Sequence, residues 1–119
     1  MSSKVELQSV EFELTLQNKD YLKKVVTQIC KDFNDEGFEN KISKIEGLNL
    51  EQVYNLIGDH MHYLMKQSGA NFFQKLYQID MPESSIKGVE EGLGFSMLGL
   101  AKQIVKRELL KVLLREQYH

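Results

Sequence analysis

The sequence predicts a compact, mainly α fold of four or five helices, and three observations carry that reading. Apolar residues recur at three- and four-residue spacing through most of the 119-residue chain. Asn18, Asn49 and Asp80 stand just before such runs, where a helix start needs a side-chain acceptor. Only one stretch alternates at the period of a strand. With 42% apolar and 27% charged residues, the composition is that of a globular protein. The length allows one domain over residues 1–119 with a core of its own.

That alternating stretch runs from Val10 to Leu16. Val10, Phe12, Leu14 and Leu16 fall on one side, and Glu11, Glu13 and Thr15 on the other. A lone strand leaves its backbone N–H and C=O groups unpaired. Residues 1–17 therefore read as a short strand or arm, paired with Lys41–Leu48 or across a dimer, or else as the start of a helix. Asn18 can cap the next element, whose apolar face is Tyr21, Leu22, Val25, Val26, Ile29, Cys30 and Phe33. Asn34-Asp35-Glu36-Gly37 ends it, and residues 38–48 look like a connector.

Asn49 opens a helix to about Gln67 with Leu50, Val53, Ile57, Met61 and Leu64 on its apolar side. Ser68-Gly69 breaks it, and Phe72, Phe73, Leu76 and Ile79 carry a shorter one. Asp80-Met81-Pro82-Glu83 then has the spacing of a capping box, with an acceptor at Asp80, proline in the first turn and Glu83 reaching back. Asp80 and Glu83 are thus the expected cap of a further helix, which Gly92 or Gly94 ends.

The last helical stretch, Phe95 to Tyr118, holds more apolar residues than one packing surface can cover. Met97, Leu98, Ala101, Ile104 and Val105 share a face, but Leu109, Leu110, Val112, Leu113 and Leu114 spread over an arc of roughly 200°. The expectation is that this end is gripped from two sides or by a second chain, with Leu109, Leu110, Leu113 and Leu114 at the interface of a homo-oligomer; the competing reading is that Val10–Leu16 or the Phe72–Phe73 helix folds over them.

The run Phe72-Phe73-Gln74-Lys75-Leu76-Tyr77-Gln78-Ile79-Asp80-Met81-Pro82-Glu83 resembles a segment of a group of small bacterial helical proteins. These share an aromatic residue, a leucine-tyrosine-x-isoleucine-aspartate core and a following glutamate. A later helix of the group is similar to Ile104–Arg115. The resemblance covers about half the chain, implies an all-helical domain, and brings no assigned activity; residues 1–48 have no counterpart in it.

The residues that could carry chemistry do not assemble a site. His60 and His62 are about 200° apart on a helix and cannot share an ion. His62 and Asp59 can touch, but two groups do not make a zinc site. Cys30 lies on a core face without an adjacent base, as buried filler does, and a single cysteine excludes an intrachain disulfide. Gly92-Leu93-Gly94 has no preceding strand and no following Lys-Ser/Thr, so it is not a phosphate loop. Ser96 is not in a nucleophile elbow. Glu90 and Glu91 diverge by about 100° and form no acid–base pair. The expectation is no enzyme, with no catalytic residue, metal or cofactor. Met61, Met65, Met81 and Met97 with Tyr63, Phe72, Phe73 and Tyr77 read as core.

The net charge of -2 divides as 7 basic and 11 acidic groups in residues 1–60, and 8 basic and 6 acidic groups in residues 61–119. Lys102, Lys106, Arg107, Lys111 and Arg115 supply the later excess, but they do not form one stripe, as a phosphate-tracking surface requires. Nucleic-acid binding through this helix and a small-molecule or lipid cavity around Phe72, Phe73, Met97 and Leu98 are the alternatives to a protein interaction module. The start MSSKVELQ lacks an apolar signal core, and no run could span a bilayer. The expected location is cytoplasmic, away from membranes.

Overall fold

Side-chain caps divide the chain into its helices. The computed structural model describes residues 9–92 and 96–118, and among them are seven helices and no strand. α1 is Ser9–Gln17, α2 Lys19–Phe33, α3 Glu36–Ser43, α4 Leu50–Gln67, α5 Gly69–Gln78, α6 Glu83–Glu90 and α7 Met97–Tyr118. Asn18 Oδ1 accepts from the N–H groups of Asp20 and Tyr21 at 2.9 and 3.3 Å, starting α2 one residue after α1 ends. Asp35 caps α3 through the Phe38 N–H at 3.0 Å. Asn49 and Gln52 form a reciprocal capping box at 2.8 and 2.9 Å. Ser68 ends α4 and caps α5 through the Asn71 N–H, and Ser96 Oγ accepts from Gly99 at the head of α7.

Two segments correct the sequence reading. Val10 to Leu16 belongs to a helix, not a strand. Phe12 and Leu16, four residues apart, are buried, while Leu14 is 65% exposed, as a 3.6-residue period requires and a two-residue period forbids. With no second strand to satisfy its backbone, the segment bonds to itself. Residues 38–48 are not a connector throughout: Phe38 and Ile42 bury one side of α3. These two short helices raise the number from the expected four or five to seven among the described residues.

The cap expected at Asp80 and Glu83 does not form. Met81 N–H donates to the Leu76 carbonyl and Asp80 N–H to the Tyr77 carbonyl, both at 3.1 Å, which is the Schellman pair closing α5. Leu76 and Met81 are both buried, supplying the apolar contact that goes with it. Asp80 sits at φ 62°, the left-handed conformation of a C′ residue, so it cannot take the extended backbone of an N-cap. α6 starts instead after Pro82 with no side-chain cap, and Glu83 is an acidic residue of its first turn. Gly92, at φ 68°, follows its end; Gly94 and Phe95 lie outside the described residues.

α7 lies along α4 and α2, and α4 also packs on α5. Val25, Ile29 and Phe33 of α2, Val53, Ile57 and Met61 of α4, Phe72 and Leu76 of α5, and Ala101, Ile104, Val105 and Leu109 of α7 are fully enclosed in one continuous core.

Candidate interaction surface

α7 divides the leucine-rich arc between inside and outside. Leu100, Ala101, Ile104, Val105, Leu109 and Val112 are buried, so Leu109 belongs to the core of its own chain. Leu110, Leu113 and Leu114 are only half-buried. Among the described residues, Leu113 packs against the rim of the core and Leu110 and Leu114 do not. The contacts of α7 mark the limits of its covered side. At one edge Arg107 reaches Asp80 at 3.9 Å, and at the other Lys102 lies over the Tyr54 ring, 5.6 Å from its centre. At about 100° per residue, Lys106, Leu110, Leu113, Leu114 and Gln117 occupy the remaining sector, roughly opposite the core stripe.

The inner side of α7 carries a polar seam that the sequence reading missed. Glu108, between Ile104 and Val112 on the apolar stripe, is 0% exposed. Lys111 Nζ lies 3.2 Å from Glu108 Oε1, but its shorter bond, 2.6 Å, goes to Asp32 Oδ2 on α2. Gln28 donates to Asp32 Oδ1 at 2.9 Å, and Arg115 donates to the side-chain carbonyl oxygen of Gln28. Burial, then the neighbouring Asp32, push the Glu108 carboxyl up to about 8. Burial alone would raise Asp32 too, but hydrogen bonds from Lys111, Glu108 and Gln28 outweigh it and hold that carboxyl below its usual value. Near neutral pH these shifts favour a protonated Glu108 beside an ionised Asp32. At its outer end, Glu116 accepts from Tyr21 at 2.9 Å and from Lys24 at 2.5 Å.

The other sequence candidates are placed plainly. His60, not His62, finds a carboxylate: its Nε2 is 3.4 Å from Asp35 Oδ2, and its ring stacks on Phe33 and tilts against Phe38. Burial lowers its pKa, and Asp35 opposes this only in part. His62 and Asp59 are exposed. Cys30 is half-buried, and burial, aided by Glu39, raises its thiol, which disfavours thiolate. Met61 and Met81 are core residues, whereas Tyr63 and Tyr77 are exposed. Among the described residues, no group of three or more His, Cys, Asp or Glu could hold a metal ion. No helix among them is long and apolar enough to cross a membrane. No protein-family model, curated protein or solved structure matches the chain.

Proposed function

We propose that this chain is a protein–protein interaction module that joins a second copy of itself through the outer face of α7. One observation carries the reading: Leu110, Leu113 and Leu114 keep solvent contact while the opposite face of the same helix is taken up by the core. A leucine fully removed from water contributes roughly 1.5–3 kcal/mol, so covering part of three on each chain favours association.

The position of the cations supports this over nucleic-acid binding. Lys111 and Arg115 are engaged by Asp32 and Gln28 of α2, and Lys102 lies over Tyr54, which leaves no basic row. The cavity reading loses support because Phe72 is enclosed in the core, whereas Leu98 is 50% exposed at the head of α7. Sedimentation velocity from micromolar to hundreds of micromolar tests the proposal. A concentration-dependent dimer is expected, and Leu110→Lys should abolish it with the helical signal and unfolding midpoint retained. A wild-type chain that stays monomeric throughout overturns it.

A further inference from the structure

Resting on the α7 reading above, we infer that the half-buried seam, with Glu108 enclosed at its centre, is a proton-operated latch. With a proton on Glu108 the second half of α7 is clamped to α2 and its outer leucines are presented to a second copy; without it that half loosens and association weakens. The argument begins with hydrogen bonds. As a carboxylate, Glu108 is fully enclosed, and among the described residues its ion-pair partner is Lys111, 3.2 Å from Oε1. Its nearest cation, Lys111, is committed to Asp32 by the shorter bond, 2.6 Å against 3.2 Å. As a carboxylic acid, Glu108 has an O–H to donate, and Asp32, which shares Lys111 with it at 2.6 Å against 3.2 Å, is the neighbouring acceptor. One proton thus changes the seam from a repelling pair of carboxylates into a bonded one.

Among the described residues, Lys111 is the cation paired with Glu108. From α2 come the Asp32 carboxylate and the neutral amide of Gln28, and from α7 itself Lys111, with Arg115 bound to that amide. The buried residues of α4 include none with a charge, and the Tyr54 hydroxyl there stays protonated because burial pushes it up to about 12. α5 brings Lys75, but its ammonium donates to the Phe33 carbonyl. Two carboxylates would then share one ammonium, with Asp32 and Lys111 part-exposed and Glu108 itself closed to solvent. Moving the second half of α7 outward lets water reach Glu108 as well.

The seam and the outer leucines lie on the same stretch of about two turns. Glu108, Lys111 and Arg115 alternate with Leu110, Leu113 and Leu114 between positions 108 and 115, so a displacement of one set displaces the other. An interface that needs these leucines in one rigid line loses it when the latch opens.

Methyl NMR and sedimentation velocity at pH 6.5 and pH 9 test the latch in wild type and in Glu108→Gln, whose amide keeps a donor and does not titrate. In the wild type, methyl NOEs between α2 and α7 should be present at pH 6.5 and lost at pH 9, and the dimer should weaken at least tenfold. In Glu108→Gln both should persist at pH 9. Wild-type NOEs retained at pH 9, or lost equally in the variant, overturn the latch whether or not a dimer forms. A dimer equally tight at both pH values overturns the coupling and leaves association through α7 standing. Absence of a wild-type dimer at pH 6.5 overturns the α7 reading and the coupling with it, and the NOEs alone then decide the latch.

Discussion

Replacing Glu108 by Gln also has a consequence for equilibrium stability that does not depend on assembly. Folding raises this carboxyl from its ordinary 4.5 to about 8, through burial and the proximity of Asp32. Between those values the folded chain keeps a proton that the unfolded chain has released. The contribution of Glu108 is therefore complete below about pH 4.5 and drains away as the pH rises through about 8. Asp32 acts in the opposite sense: its depressed carboxyl stabilises above the usual aspartate range and fails only in acid. Ionising Glu108 in place costs on the order of 5 kcal/mol, a large share of the 5–15 kcal/mol by which domains are typically stable. Glutamine has nearly the shape of the protonated acid, can donate to Asp32, and does not titrate. Urea unfolding followed by circular dichroism, from about pH 5 to about pH 9, gives the comparison. The two proteins should agree within about 1 kcal/mol at the acid end and separate by roughly 3–4 kcal/mol at the alkaline end, with Glu108→Gln the more stable. Cys30 is present in both proteins and cancels in the difference. A wild-type stability that does not fall over this range, or falls equally in the variant, refutes the protonated carboxyl.

Three further sets of substitutions test the packing. Phe12→Ala and Leu16→Ala should each cost about 2–5 kcal/mol while Leu14→Ala stays within about 0.5 kcal/mol, since only the first two are buried; equal losses at all three in thermal melts would restore the strand. Tyr54→Phe should leave stability unchanged or raise it by about 1 kcal/mol, because the buried Tyr54 hydroxyl has no hydrogen-bond partner among the described residues; a fall in melting temperature of several degrees would show that the hydroxyl is bonded. Asp80→Gly should add about 0.5–1 kcal/mol by relieving a left-handed residue, since the 3.9 Å surface contact with Arg107 that it removes is worth little; a lower urea midpoint would contradict the C′ assignment.

Most helix starts were legible because a cap is a local device. Asn18 and Asn49 sit one residue before their helices, and the apolar faces that follow are the faces that bury. The failures came where two local readings compete for the same residues. Phe12 and Leu16 are separated by four, which satisfies a strand and a helix equally, and only the exposure of Leu14 distinguishes them. Asp35 belongs to a cluster that reads as a turn, yet its side chain starts α3. At Asp80 the sequence offers the spacing of a capping box, but the backbone closes the preceding helix first. A residue in the left-handed region cannot serve the next helix as well.

The candidate surface was half-legible for a related reason. A wheel drawn from the sequence gives the width of the leucine arc but not where the core takes its share. α2 and α4 pack on α7 and Leu109 and Val112 are enclosed, while Leu110, Leu113 and Leu114 keep solvent contact. The polar seam carried a signal of its own, since Ile104-x-x-x-Glu108-x-x-x-Val112 puts a carboxyl in the middle of an apolar stripe. A charge there needs partners, and those partners come from α2, which no spacing within α7 could name. Once Asp32 and Gln28 engage Lys111 and Arg115, two of the five cations on α7 are committed to the chain's own interior edge. What is left outward is a short leucine patch with Lys106 before it and the neutral Gln117 after it. The inner seam thereby fixes which residues the outer face can offer to another molecule.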